Sequence, residues 1–422
     1  MSKDKGRVTS GHSAPAACPF VTRPLMFRSL EYRNFRLFIA GQSISTIGTW
    51  MQSVAMSWLV YRMTGSALLL GIVAFAAQIP TFVLSPFAGV FADRYNRHKI
   101  IIVTQVLSMI QAGILAVLTL SGHITVWQIV ALGFFLGCVN SVDIPARQSF
   151  LIEMVEKKEV LGNAIALNSA MFNASRLIGP TLAGIIVAVA GEGVCFLVNS
   201  LSFIAVIASL LMMRLTRAEK KIPEMHVMDE LKEGVIYAYK SKPIRMILLL
   251  LSVISMLGMS YIVLMPVFAS DVHHGGSATL GFMMGAVGVG ALIATLWLAA
   301  RVNPPTLEGT VPYAAAIFSS SIILFALSRV LWVSIVLLMI TGFGFLATTA
   351  SLNTIIQNTV HDDKRGRVMS LYAMAFIGMA PIGSLLAGVI ANNLGATDAL
   401  LIGGFSCLFA TFVFYRLTHP RN

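Results

Sequence analysis

The chain is a succession of apolar runs, each about as long as a bilayer is thick. They read at about residues 37–61, 66–92, 99–120, 124–145, 162–190, 193–213, 244–269, 278–300, 311–328, 331–356, 367–391 and 396–415. Roughly 20 residues suffice to cross hydrocarbon as a helix. A backbone in lipid must satisfy its own N–H and C=O groups, so runs of this length predict helices. Of 422 residues, 57% are hydrophobic and 11% charged, whereas about a quarter of a soluble domain is charged. The fold expected is an all-α membrane protein with twelve transmembrane helices. No secretory signal is expected, since 36 largely polar residues precede a first run too long for a signal core.

Charge orients the chain. The net +12 invites a nucleic-acid partner until its positions are mapped. With both termini placed inside, 27 of the 30 Lys and Arg fall on one side, Arg62 and Arg329 on the other, and Arg176 within a span. That asymmetry predicts a multi-pass protein of the cytoplasmic membrane with both termini cytoplasmic, and argues against nucleic acid. Residues 1–30 read as a disordered tail, 31–214 and 244–416 as two six-helix halves, 215–243 as a cytoplasmic linker and 417–422 as a short tail. In the linker, Leu231, Val235 and Tyr239 recur at helical spacing opposite Glu230, Lys232, Glu233 and Lys240. Two readings stand: a short amphipathic helix on the membrane face, or a solvated connection. Cys138, Cys195 and Cys407 lie in or at the ends of spans and Cys18 in the tail, with neither disulfide nor metal-ligand spacing. No Gly-x-x-x-x-Gly-Lys-Ser/Thr run is present to bind nucleotide, so no metal or cofactor is expected.

Two short words repeat at nearly one offset. Gly65-Ser-Ala-Leu-Leu-Leu-Gly71 opens the second span and Gly276-Ser-Ala-Thr-Leu-Gly281 the eighth; Ile178-Gly-Pro-Thr-Leu-Ala-Gly184 lies in the fifth and Ile382-Gly-Ser-Leu-Leu-Ala-Gly388 in the eleventh. Matches in the same order imply two parallel, pseudo-symmetric halves.

Three motifs carry a family resemblance. In Gly89-x-x-x-Asp93-Arg94-x-x-Arg97, an acid among fixed cations cannot sit in hydrocarbon, which predicts a short loop between spans two and three. This spacing resembles the signature loop of the major facilitator superfamily, with Asn96 and His98 where the family has Gly and a basic residue. Asn tolerates the left-handed backbone a turn there requires. Ser175-x-x-x-Gly179-Pro180-x-x-Ala183-Gly184 resembles the antiporter motif of facilitator exporters, with Ala166, Ser175 and Ala183 replacing glycines. Small residues there let helices approach closely. Asp143-Ile-Pro-Ala-Arg147 and Arg365-Gly-Arg367 through Tyr372 are similar to the enterobactin-exporter and macrolide-efflux permease branch, over about residues 28–416. The resemblance implies alternating access, export, a monomer among membrane lipids, and protons as coupling ion. It also implies a gating set of Gly89, Asp93, Arg94, Arg97, Arg147, Arg365 and Arg367, and a central cavity lined by helices 1, 4, 7 and 10.

The residues expected to meet substrate or couple transport follow from polarity within the spans. Arg176 lies about fourteen residues into the fifth span. A guanidinium stays charged, so it needs water, a counter-ion, a substrate anion or the carbonyls freed near Pro180. Ser169 and Asn173 share its helical face. Helix 1 carries Gln42, Ser45, Thr49, Gln52, Ser53 and Ser57 beside Trp50 and Trp58; helix 10 carries Thr341, Gly344, Thr348 and Ser351. These stripes are expected to face the cavity, and Tyr261, Tyr372 and Asp143 complete the set. Asp93 and Asp143 read as near the cytoplasmic ends, Asp271 and Glu192 near the outer ends, with no acid deep in any span. That disfavours a cationic substrate and favours an anionic or neutral amphiphile, for which the 22 methionines offer soft contacts. The function expected is a proton-coupled exporter of such a small molecule, siderophore-like or drug-like. A lipid or lysolipid flippase and an organic-anion importer are the alternatives; an enzyme would need a nucleophile, metal cluster or acid–base pair in the spans.

Overall fold

The computed structural model describes residues 25–155, 158–214, 227–300 and 305–418, and among these every regular element is helical. The N-terminal half comprises α1 (Arg33–Thr64), α2 (Ala67–Arg94), α3 (Arg97–Leu120), α4 (Val126–Glu153), α5 (Lys158–Ala190) and α6 (Glu192–Leu211). A linker helix α7 (Val227–Lys240) follows. The C-terminal half begins with α8 (Lys242–Val253) and α9 (Ser260–Val267), which π-turns join into one run, Lys242–Val272. It continues with α10 (Ser277–Ala299), α11 (Pro305–Leu327), α12 (Leu331–Thr359), α13 (Asp362–Ala373), α14 (Met379–Leu394) and α15 (Ala396–Thr418). Another π-turn, Met374–Gly378, joins α13 to α14. The tails at 1–24 and 419–422 and most of the linker lie outside the described residues.

Eleven helical runs among the described residues are long and apolar enough to cross a membrane. α1 is missing from those eleven although it has 32 residues. Gln42, Ser45, Thr49, Gln52, Ser53 and Ser57 make it too polar by composition, while its packing between α5 and α6 gives it a place as the twelfth transmembrane helix. Several helices outrun their apolar stretches, because backbone bonds and caps rather than hydropathy end a helix. α4 continues to Glu153, ten residues beyond Asp143. α2 likewise runs through Gly89 and Asp93 to Arg94, leaving Tyr95 and Asn96 to make the turn expected to be longer. Asn96 is extended rather than left-handed; its side chain caps α3 by accepting from the Lys99 N–H at 3.2 Å. At the opposite end, Thr125 and Gln128 form a reciprocal capping box at the start of α4.

The face holding the N-terminal end of α1 is called here the terminal face, and the other the distal face. The repeated sequence words meet each other across the two halves, from mid-depth to the distal face. A Cβ on Gly281 would fall 2.7 Å from the Pro180 carbonyl oxygen and 2.8 Å from the Gly184 Cα. In the symmetric contact, a Cβ on Gly71 would fall 2.7 Å from the Ser384 carbonyl oxygen and 3.0 Å from the Gly388 Cα. Thus α5 packs on α10, and α2 on α14, backbone to backbone, which side chains at those positions would forbid. Gly179 of the same α5 motif lies against Trp50 of α1, where a Cβ would come within 2.5 Å of the Trp50 Cβ.

At the terminal face, α7 is helical and rests on α13. Glu233 pairs with Lys364 and, at 2.5 Å, with Arg367, while Val235, Ile236 and Tyr239 remain exposed. Of the expected amphipathic stripe, the Leu231 side chain lies outside the described residues.

Candidate functional site

Arg176 is held at the junction of the two halves. It projects from α5 to lie 5.8 Å from the ring centroid of Trp50 on α1 and 5.8 Å from that of Phe345 on α12. One ring comes from each half, so the guanidinium is sandwiched by aromatic faces. Among the described residues no carboxylate pairs with it. Pro180, Tyr261, Ile262, Met265, Met284 and Val287 complete the small pocket around it. Tyr261 is 1% exposed, and its hydroxyl has no hydrogen-bond partner among the described residues. An unpaired cation thus faces a space of about 20 Å³, room for roughly one water-sized group, lined otherwise by apolar groups, with the buried Tyr261 hydroxyl beside it. The planar donors of the guanidinium are what this space offers an anion. Phe318, Phe345, Phe376 and Tyr372 continue an aromatic surface on the C-terminal side, with centroid spacings of 5.6, 6.1 and 6.4 Å.

A second cavity, of about 270 Å³, lies wholly in the N-terminal half. It includes Gln42, Thr49, Trp50 and Gln52 of α1, Gln105 and Gln111 of α3, Asp143 and Arg147 of α4, Phe172 of α5 and Asn199 of α6. Asp143 is 3% exposed. One of its oxygens accepts from Thr104 at 2.7 Å and Gln105 at 3.0 Å, and the other meets Arg147 at 2.9 Å. A buried carboxylate is tolerable only with such a full complement of donors. Deeper in, the Gln52 amide donates to Gln111 at 3.0 Å and accepts from Asn199 at 2.7 Å. Trp50 lines both this cavity and the Arg176 pocket, and packs edge-to-face on Phe172 at 5.9 Å.

The other expected site residues are distributed as follows. Asn173 donates to the Ser169 carbonyl of its own helix at 3.0 Å, and Ser169 is exposed. Ser175 and Ala183 are buried in packing contacts, as are Gly179, Pro180 and Gly184. Three of the four residues of the stripe on α12 are turned to packing or to neighbouring turns, while the buried Ser351 hydroxyl has no partner among the described residues. Thr341 shares a hydrogen bond with Ser321 of α11 at 2.9 Å, Gly344 closes on the α11 backbone, and Thr348 returns its proton to the Gly344 carbonyl. A hydroxyl can satisfy itself on a neighbouring or preceding turn, so a polar stripe need not mark a cavity. The Tyr372 hydroxyl bonds the Thr349 carbonyl at 2.8 Å. In the gating set, Arg97 pairs with Glu153 at 2.6 Å, Arg147 with Asp143, and Arg367 with Glu233, while Arg365 is exposed. The side chains of Asp93 and Arg94, like the surroundings of Gly89, lie outside the described residues.

Sequence reading missed Thr104, Gln105, Gln111 and Asn199, although Gln105, Ser108 and Gln111 recur at intervals of three on α3 and so share a face. It also missed a bridge at the distal face, where the Tyr61 hydroxyl donates to Asp271 at 2.5 Å and joins α1 to the C-terminal half. Two residues on, both ring nitrogens of His273 are buried without a partner among the described residues.

The transmembrane secretion effector family matches residues 26–422. A staphyloferrin A transporter of Staphylococcus aureus is 31% identical over 386 residues, spanning 90% of this chain and 95% of its own. The multidrug efflux pump Tap of Mycolicibacterium fortuitum is 25% identical over 356 residues, spanning 82% and 87%. A bacterial homologue of the lysosomal transporter spinster, solved in an inward-facing, unoccupied conformation, superposes with a TM-score of 0.68 at 12% identity, covering 94% of this chain and 98% of that one. A bacterial homologue of the iron transporter ferroportin, solved inward-facing, gives 0.65 at 18% identity, covering 92% and 99%.

Proposed function

The chain belongs to the transmembrane secretion effector family of major facilitator transporters, and from that premise we propose that it exports an anionic or neutral amphiphilic small molecule by proton-coupled alternating access. The observation that carries this reading is Arg176: a cation deep in the bundle, between aromatic rings from opposite halves and with no acid paired to it among the described residues. A charge in that position is costly to insert, so it is retained where a ligand or a coupling step uses it. Its relatives' names fit, one a transporter of the siderophore staphyloferrin A and the other a multidrug efflux pump. The terminal face is cytoplasmic on this reading, in keeping with the charge asymmetry. The distal contacts then close the outer side and leave the substrate pocket to be loaded from within. Protons enter as the coupling ion with Asp143 as their acceptor, supported by its burial in a polar cavity of about 270 Å³ beside a cation.

The test is accumulation. Cells that overproduce the protein should retain less of its substrate than cells lacking it, across a panel of anionic and neutral amphiphiles. Dissipating the proton gradient should erase the difference. Higher retention on overproduction would replace export by import, and an effect confined to labelled lysolipids would favour a flippase.

A further inference from the structure

The two halves are not equally regular. In the N-terminal half α1 and α5 run 32 and 33 residues without a break. Their counterparts in the C-terminal half are each interrupted by a π-turn, Ile254–Gly258 between α8 and α9 and Met374–Gly378 between α13 and α14. A π-turn widens the helix and disturbs its regular ladder of backbone bonds, which makes it a place to bend. The two turns lie against each other. The Ser255 hydroxyl, 1% exposed, donates to the Phe376 carbonyl and so bonds one turn to the other. Gly383 of α14 rests on the Met256 carbonyl, with no room for a Cβ. Gly378, which ends the second turn, is covered by the Phe82 ring of α2, so the turn also touches the opposite half.

The second turn is also in contact with the surroundings of Arg176. It carries Phe376, whose ring stacks on Phe345 at 6.1 Å, and Phe345 lies 5.8 Å from the Arg176 guanidinium. We propose that the paired π-turns are a single hinge across the C-terminal half, pinned by Ser255, and that an anion at Arg176 acts on it through Phe345 and Phe376. The proposal rests on the alternating-access reading and adds to it which half bends. An anion that neutralises the guanidinium weakens its attraction for the Phe345 face. A ligand shifts a conformational equilibrium only through contacts that differ between the states, and the ring on the guanidinium is such a contact. With that hold loosened, the terminal segments α8 and α13 tilt about the turns while α14 keeps its seam with α2. The N-terminal half, with no such turn in α1 or α5, moves as one body. Ser255 touches no ligand itself; it is a positioning residue that sets how readily the hinge yields.

Spin-label distances within each half of the full chain in nanodiscs test this, with decanoate as the anionic probe and its binding followed by calorimetry. One pair of labels sits on the terminal ends of α11 and α13, the control pair on the terminal ends of α3 and α5. Bound decanoate should change the α11–α13 distance and leave the α3–α5 distance fixed. Without decanoate, Ser255→Ala should raise the bent population about two- to tenfold, the range expected for one neutral hydrogen bond. Decanoate should then bind Ser255→Ala tighter, by at most the same factor, whereas loss of a merely structural serine would not tighten binding. Ser255→Thr, which keeps the hydroxyl, should restore the native distribution and affinity. An α11–α13 distance unmoved by bound decanoate, equal changes in both halves, or a Ser255→Ala distribution like the native one would overturn the hinge. Failure of decanoate to bind would instead count against the anionic-substrate reading, and the ligand-free Ser255→Ala and Ser255→Thr distributions would still decide the hinge.

Discussion

Arg176 and Asp143 show what a residue type reveals by itself and what only its neighbours reveal. A guanidinium in the middle of a span is conspicuous from sequence, because nothing in hydrocarbon satisfies it. Its partners are not, since Trp50 and Phe345 come from helices that sequence spacing does not relate. Arg176→Ala is expected to abolish binding of an anionic probe while the purified protein keeps its melting temperature. Removing the charge relieves an insertion cost of about 2.5–3.5 kcal/mol on translocon scales. Arg176→Lys should bind weakly, because an ammonium lacks the planar fork of donors. Unchanged affinity with a lowered melting temperature would make Arg176 structural. The surroundings of Asp143 were not legible in the sequence. Its hydrogen-bonding partners sit 38 and 39 residues away, and Gln52 reaches across 59 residues to Gln111 and 147 to Asn199. Such a network exists only once the half-bundle has folded.

Elements were more legible, since an apolar run long enough to span admits one regular structure. The interfaces between elements were legible only where the duplication exposed them. The words that revealed the repeat form the seams, α5 on α10 and α2 on α14, because both seams need the smallest residues. Gly281→Val should force backbones apart, with a cost of about 1–3 kcal/mol as overpacking. Read by cysteine crosslinking across the distal ends of α5 and α10, that substitution should lower the distal-closed population; crosslinking at the native yield would contradict the seam. The linker helix is held differently. The hydrogen bond from Lys364, opposed by burial and aided by the charges of Arg367 and Lys364, keeps the Glu233 carboxyl below the usual carboxylate range. A depressed value means the α7–α13 contact is at full strength above the ordinary Glu value of about 4.3 and is lost as pH falls through the lowered one. Glu233→Gln should speed amide exchange in α7 at neutral pH, and raised salt should do the same to the unmodified protein. Exchange insensitive to both would mean that apolar packing, not the ion pairs, docks α7.

On the export reading proposed above, the molecule opens at the distal face to release what it binds, and the groups gathered there make that step sensitive to pH. Closure brings Tyr61 of the N-terminal half onto Asp271 of the C-terminal half and covers the His273 ring beside them. Burial, with the charges of Arg329 and His274, lowers the His273 pKa below its ordinary value. The sign follows from which state takes the proton more readily. With the face open the ring is solvated and titrates near the ordinary value of about 6.5; with it closed it stays neutral to lower pH. Closure is therefore unhindered above about 6.5 and is progressively disfavoured as the pH falls below it. On the orientation proposed above, this face meets the exterior, so an acidic exterior favours the conformation that releases substrate. Distances between spin labels on the distal ends of α1 and α9 should lengthen between pH 7 and 5 in the unmodified protein, the span over which an unperturbed imidazole charges. In His273→Gln the distances should stay constant over the same interval. Tyr61→Phe should lengthen them at every pH, because it removes the bridge without touching the titrating ring. A distal face that tightens in acid, or a pH response that persists in His273→Gln, would assign the sensitivity to Asp271 or to the Asp143 cavity and remove His273 from the release step.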